Sequence, residues 1–204
     1  MNFTDKLAET DLLQAFSISF APKHLRDNLA LLYVSFYEWH HIVKSASEPM
    51  IGQIKIQWWR DMLLQDKAPE GAPPHMEALH DFLRKNPDYK TDILNILDAL
   101  DEEFIFETAS PKHALGHFMQ FLIKLHGIQD QKIIDHAIHI FLAPHHHCDK
   151  HKNHKIPKTI RHLFFVYLSA EKPKNLWDNI KIIGKILRFY FTGLYKTRPP
   201  QTAY

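Results

Sequence analysis

A chain of 204 residues, 45% hydrophobic and 24% charged, has the composition of a globular protein, which excludes disorder and collagen-like repeats. Its most apolar runs, Leu29–Tyr37 and Ala137–Ala143, are too short to span a bilayer, and the opening Met1-Asn2-Phe3-Thr4-Asp5 lacks the basic-then-apolar pattern of a secretory signal. A single cysteine, Cys148, excludes an internal disulfide framework and fits a reducing, cytoplasmic compartment. The net charge of +2 is unevenly spread: residues 151–204 carry eleven Lys/Arg against two Asp/Glu, a balance of +9, and residues 1–150 carry fourteen against twenty-one, a balance of −7. A basic end on an acidic body suits contact with an anionic surface. It equally suits a solvated face docked on the acidic half of the same fold.

In chain order, the punctuation marks helices. Pro22 suits the first turn of a helix running to about Ser45. Ser47-Glu48-Pro49 reads as a break and a new start, with a helix to about Gln65. Lys67–Pro74, with Gly71 and three prolines, is the clearest loop. Further helices are predicted over His75–Arg84, Thr91–Phe106, Pro111–His126, Gln129–Leu142, Pro157–Leu168 and Leu176–Tyr195. No segment alternates as a strand between hairpin turns. The expectation is an all-α single domain over residues 1–204, a bundle of about eight helices with a basic C-terminal helix at about 174–196.

Within the first long helix, Tyr33, Tyr37, His40, His41 and Lys44 fall at i, i+4, i+7, i+8 and i+11, on one face. Leu32, Phe36, Trp39 and Val43 form an apolar stripe beside it. A polar, aromatic stripe next to an apolar one can line a cavity. It can also belong to a half-exposed helix with its histidines in water.

The residues Leu32 to Lys44 resemble the first aspartate-rich motif of the squalene/phytoene synthase family, L-Y-x-F-C-R-x-x-D-D-x-x-D. Leu32 and Tyr33 match its opening, and its three aspartates fall on His40, His41 and Lys44. Its Cys and Arg fall on Phe36 and Tyr37. The run Glu48-Pro49-Met50-Ile51-Gly52-Gln53-Ile54-Lys55-Ile56-Gln57-Trp58-Trp59-Arg60-Asp61 is similar to the family block E-P-x-[IL]-x-x-[IL]-[RK]-[LM]-[QA]-[WF]-W-R-[DE]. Glu38 and the Ile51-Gly52 pair draw the resemblance toward the branch containing the phytoene-synthase-like mitochondrial complex I assembly factor. Downstream, Phe141-Leu142-Ala143-Pro144-His145-His146 is similar to that branch's L-R-A-T-P-Y-H, and Ile156-Pro157 to the L-P after the second aspartate motif. The outer aspartates of that motif then fall on Pro144 and Cys148. The resemblance implies an isoprenoid-synthase fold with a cavity lined by Tyr33, Tyr37, His40, His41, Lys44 and Gln57.

In that family the aspartates hold magnesium ions that bridge to a prenyl diphosphate. Magnesium wants oxygen ligands, imidazole is a borderline nitrogen donor, and an ammonium cannot ligate. Two histidines and a lysine in place of three carboxylates shift that helix face from about −3 to about +1. The resemblance therefore implies a protein without metal-dependent prenyl transfer, a pseudoenzyme needing no cofactor. It would serve as a binding or assembly protein in respiratory complex biogenesis, with an isoprenoid or lipid ligand and a protein partner. The alternative is an active prenyl transferase of isoprenoid biosynthesis, with Mg held by carboxylates relocated from Asp61, Asp101, Glu102 or Glu103. A third reading is a lipid-phosphate or prenyl-diphosphate binder using Lys44 and the histidines.

Other features carry weaker chemistry. His145, His146, His147, Cys148, His151 and His154 form the densest group of metal donors, with no second ligand pair at zinc-module spacing. Eleven further histidines make compositional bias the competing explanation. Trp39, Trp58 and Trp59 read as core residues rather than base-stacking platforms, and no nucleic-acid partner is expected. In the last helix Lys181, Lys185 and Arg188 form a narrow basic stripe among Ile, Leu, Phe and Tyr. Such a stripe suits peripheral contact with an anionic membrane such as the inner membrane, or a terminal helix packed on its own domain.

Overall fold

The computed structural model describes residues 2–105, 112–142 and 156–164. Among them the chain forms eight α-helices and no strand. They are α1 (Phe3–Thr10), α2 (Leu12–Ile18), α3 (Arg26–Ser45), α4 (Pro49–Leu64), α5 (Pro74–Lys85), α6 (Lys90–Ile105), α7 (Lys112–Leu125) and α8 (Gln131–Leu142). Short 3-10 turns occupy Lys23–Leu25, Pro87–Tyr89 and Lys158–Phe164. The all-α expectation holds. Among the described residues, no helix is long and apolar enough to cross a membrane.

The chain divides into two compact units, one ending at Gly127 and the other beginning at Ile128. The expected basic helix with Lys181, Lys185 and Arg188 lies outside the described residues, as does the whole group from Pro144 to His154.

The N-terminal boundaries follow from capping. The Asn2 side chain accepts from the Thr4 N–H at 3.0 Å and starts α1. Asp11 ends α1 by donating its N–H to the Leu7 carbonyl at 2.7 Å. Its carboxylate then accepts from the Gln14 N–H at 2.9 Å and starts α2. Neither helix is predicted from sequence, where the first helix starts at Pro22. Pro22 instead precedes a 3-10 turn, and α3 begins at Arg26. The helix predicted over Pro157–Leu168 is 3-10 over Lys158–Phe164. Pro49 and Pro74 stand in the first turns of α4 and α5, where a missing N–H costs nothing. Gly127, at φ 76°, takes the left-handed conformation just after α7.

Helix α3 is the centre of the first unit and packs against α1, α2, α4, α5 and α6. Every residue from Leu29 to Phe36 is buried, so this helix has no solvent face over two turns. Phe36 stacks on Phe118 of α7 with centroids 4.2 Å apart, and Tyr33 meets the same ring edge-on at 5.2 Å. Trp39, 1% exposed, meets Trp59 of α4 edge-on at 5.8 Å. Helix α6 packs between α4 and α7. Its approach to α4 depends on Gly52, because a Cβ there would overlap the Phe104 ring.

Candidate functional site

The stripe singled out on α3 runs from core to surface. Tyr33 is buried, Tyr37 and His40 are half-buried, and His41 and Lys44 are exposed. The Tyr37 hydroxyl donates to the Asp11 carboxylate at 2.9 Å, which ties α3 to the α1–α2 junction. His40 stacks on Phe36 at 5.9 Å. Its pKa is lowered by burial first and by the Lys44 charge second, so it is neutral near pH 7. Gln57 is exposed on α4, where its amide donates to Asp61 and its carbonyl accepts from Arg60. Arg60 pairs in turn with Asp98 of α6. Trp39 and Trp59 are core residues as expected, whereas Trp58 is 43% exposed and corrects that expectation. It rides on the Trp59 edge at 5.6 Å with an open flank.

The helix ends nearest Lys44 bring in residues from α6 and α7. Glu103 of α6 is half-buried, and its Oε1 is buried without a hydrogen-bond partner among the described residues. Burial raises its pKa, and the charges of His113 and Lys44 both oppose that rise. Glu103 thus feels positive charge from both the end of α3 and the start of α7. Glu102 sits 3.4 Å from His113 Nδ1, in ion-pair reach. His113 Nε2 and His117 Nε2 lie 3.3 Å from each other. Burial first, then His113, lowers the His117 pKa. Of the four carboxylates considered as replacements for the family's aspartates, Glu103 and Glu102 approach this region, while Asp61 is held on α4 by Gln57. The signal that would have found the α7 residues was the i, i+4 spacing of His113 and His117 on a predicted helix.

The donor set does not fit magnesium. At the positions that the motif resemblance sets against the family's first three aspartates stand two imidazoles and an ammonium. The nearest half-buried carboxyl, Glu103, is pushed toward its protonated form by burial. Among the described residues, no group of three or more His, Cys, Asp or Glu is arranged to hold a metal ion. Elsewhere in the first unit His75 is 4% exposed and 5.4 Å from Trp59. Neither of its ring nitrogens has a hydrogen-bond partner among the described residues. Burial, then Lys6, holds its pKa down. In the second unit the Ile156 carbonyl, before Pro157, accepts from Arg161 Nε at 2.8 Å.

The family model for squalene/phytoene synthase matches residues 13–105. No curated protein and no solved structure gives a significant match. The matched segment runs from α2 through α6 and contains both blocks on α3 and α4, but ends before Phe141–His146. What the chain shares with the squalene/phytoene synthase family is thus the segment 13–105, which includes α3 with its His40–Lys44 stripe and the helices α4 and α6 packed on it.

Proposed function

We propose that this chain is a squalene/phytoene synthase-like protein that no longer performs metal-dependent prenyl transfer and instead binds an anionic isoprenoid or lipid ligand, in a binding or assembly role. The observation that carries this reading is Lys44. Its ammonium stands at the family's third aspartate position and cannot ligate a cation. Its charge disfavours protonation of His40 and favours the ionised form of Glu103, so it acts on the groups around it. Ionising an allylic diphosphate leaves charge on the departing group, and metal neutralisation is a large part of lowering that barrier. A lone ammonium can hold a phosphate without accelerating its departure. A role in respiratory complex biogenesis follows from the branch that Glu38 and Ile51-Gly52 resemble, and from nothing else on the chain. The decisive assay gives purified protein magnesium and farnesyl or geranylgeranyl diphosphate. The reading predicts no diphosphate release above background. Turnover that a chelator abolishes would establish the prenyl transferase instead.

A further inference from the structure

We propose that His113 and His117 form an open two-histidine site for a divalent transition metal such as Zn²⁺, Ni²⁺ or Cu²⁺. The pair sits one turn apart on α7, and the two Nε2 atoms lie 3.3 Å from each other. Zn–N bonds of about 2.0–2.1 Å at tetrahedral angles place two ligating nitrogens about 3.3–3.4 Å apart. The gap is therefore already the edge of a coordination tetrahedron. Glu102 adds the outer shell. Its Oε2 lies 3.4 Å from Nδ1, the ring nitrogen of His113 that faces away from the pair. A carboxylate there fixes the tautomer that leaves Nε2 free to ligate. His113 and Glu102 have side chains 57% and 51% exposed, so an ion reaches the pair without opening the core. No third His, Cys, Asp or Glu completes a cluster among the described residues, so water or a ligand would fill the remaining positions. Imidazole donors select zinc, nickel and copper over magnesium, which separates this site from the chemistry lost on α3. The ordinary alternative is one neutral imidazole donating to the other.

The test titrates Zn²⁺ alone into the full chain by calorimetry, beside three variants. His113→Asn removes one ligand at an exposed position and does not threaten the fold. Glu102→Gln keeps shape and removes the orienting charge. The third replaces His145, His146, His147, His151 and His154 with asparagine. The expected result is one site that His113→Asn abolishes and that Glu102→Gln weakens about tenfold, the lower end for an outer-shell partner. The third variant should keep that site. No binding to the unaltered chain would overturn the proposal. So would binding that survives His113→Asn, or binding lost in the third variant, since the site would then lie in or depend on residues 145–154.

Discussion

Helices α3 and α4 carry the two sequence blocks that best match the family, and they are built in opposite ways. From Leu29 to Phe36, α3 has no exposed residue, and beyond that run it reaches solvent at Glu38, His41 and Lys44. Helix α4 buries a single stripe, Gly52, Ile56, Trp59 and Leu63, and exposes Met50, Ile54 and Trp58 on the other side. Packing therefore accounts for nearly every matched residue of α3 up to Trp39. It accounts for only one face of α4. A residue that packing does not require is held there by something else. For Gln57 and Arg60 that is a polar chain through Asp61 and across to Asp98 on α6.

This contrast can be broken by mutation, starting with the largest effect. Trp39→Ala should cost about 3–5 kcal/mol, because it empties the joint between α3 and α4. Trp58→Ala, on the neighbouring ring but with an open flank, should cost under about 1 kcal/mol. Chemical denaturation of both variants checks the difference, and equal losses would mean the outer face of α4 is covered. Gly52→Ala comes next, at about 1–3 kcal/mol, since its methyl would displace the Phe104 ring and part α4 from α6. Adding Phe104→Leu should recover part of that loss, and a double mutant no better than the single would place the strain elsewhere.

A pH effect of intermediate size follows from the buried histidines. His40, His75, His80, His117 and His126 all have lowered pKa values, with burial as the first cause in each. The unfolded chain, with histidines near 6.5, then binds more protons than the folded one. Stability should fall as pH drops through about 6.5. Glu103 works in the opposite sense, because its raised pKa lets the folded state take up a proton first on acidification. One carboxyl against five imidazoles leaves the histidines in control, so the melting temperature at pH 5.5 should lie below that at pH 7.5. His75→Leu should flatten that slope, and an unchanged slope would remove His75 from the account. The smallest effect is expected from Met50→Ser and Ile54→Ser, each within about 0.5 kcal/mol because both positions are exposed.

Much of the helical fold was legible because proline and glycine punctuate it. Pro49, the turn around Gly71 and Gly127 bound α4, α5 and α7 close to where the sequence places them. Helices α1 and α2 were missed because each is under three turns, too short for a periodic stripe to stand out. Their signal lay in the caps Asn2 and Asp11. The candidate site was legible along α3, where spacing alone puts Tyr33 to Lys44 on one face. Spacing could not show that this face passes from core to solvent, since that depends on which helices pack around its first half. Nor could it show that Glu103 of α6, remote in sequence, comes within electrostatic reach of Lys44 and of His113 on α7.

The account rests on the claim that the family's aspartate positions here form a cationic, metal-independent face. Its most direct test is the affinity for inorganic diphosphate in a chelating buffer and again with magnesium, for the unaltered chain and for Lys44→Gln. The account predicts binding that needs no magnesium and weakens in Lys44→Gln by about tenfold, the loss of one charge-assisted contact. Binding that appears only with magnesium, or that Lys44→Gln leaves unchanged, would contradict it.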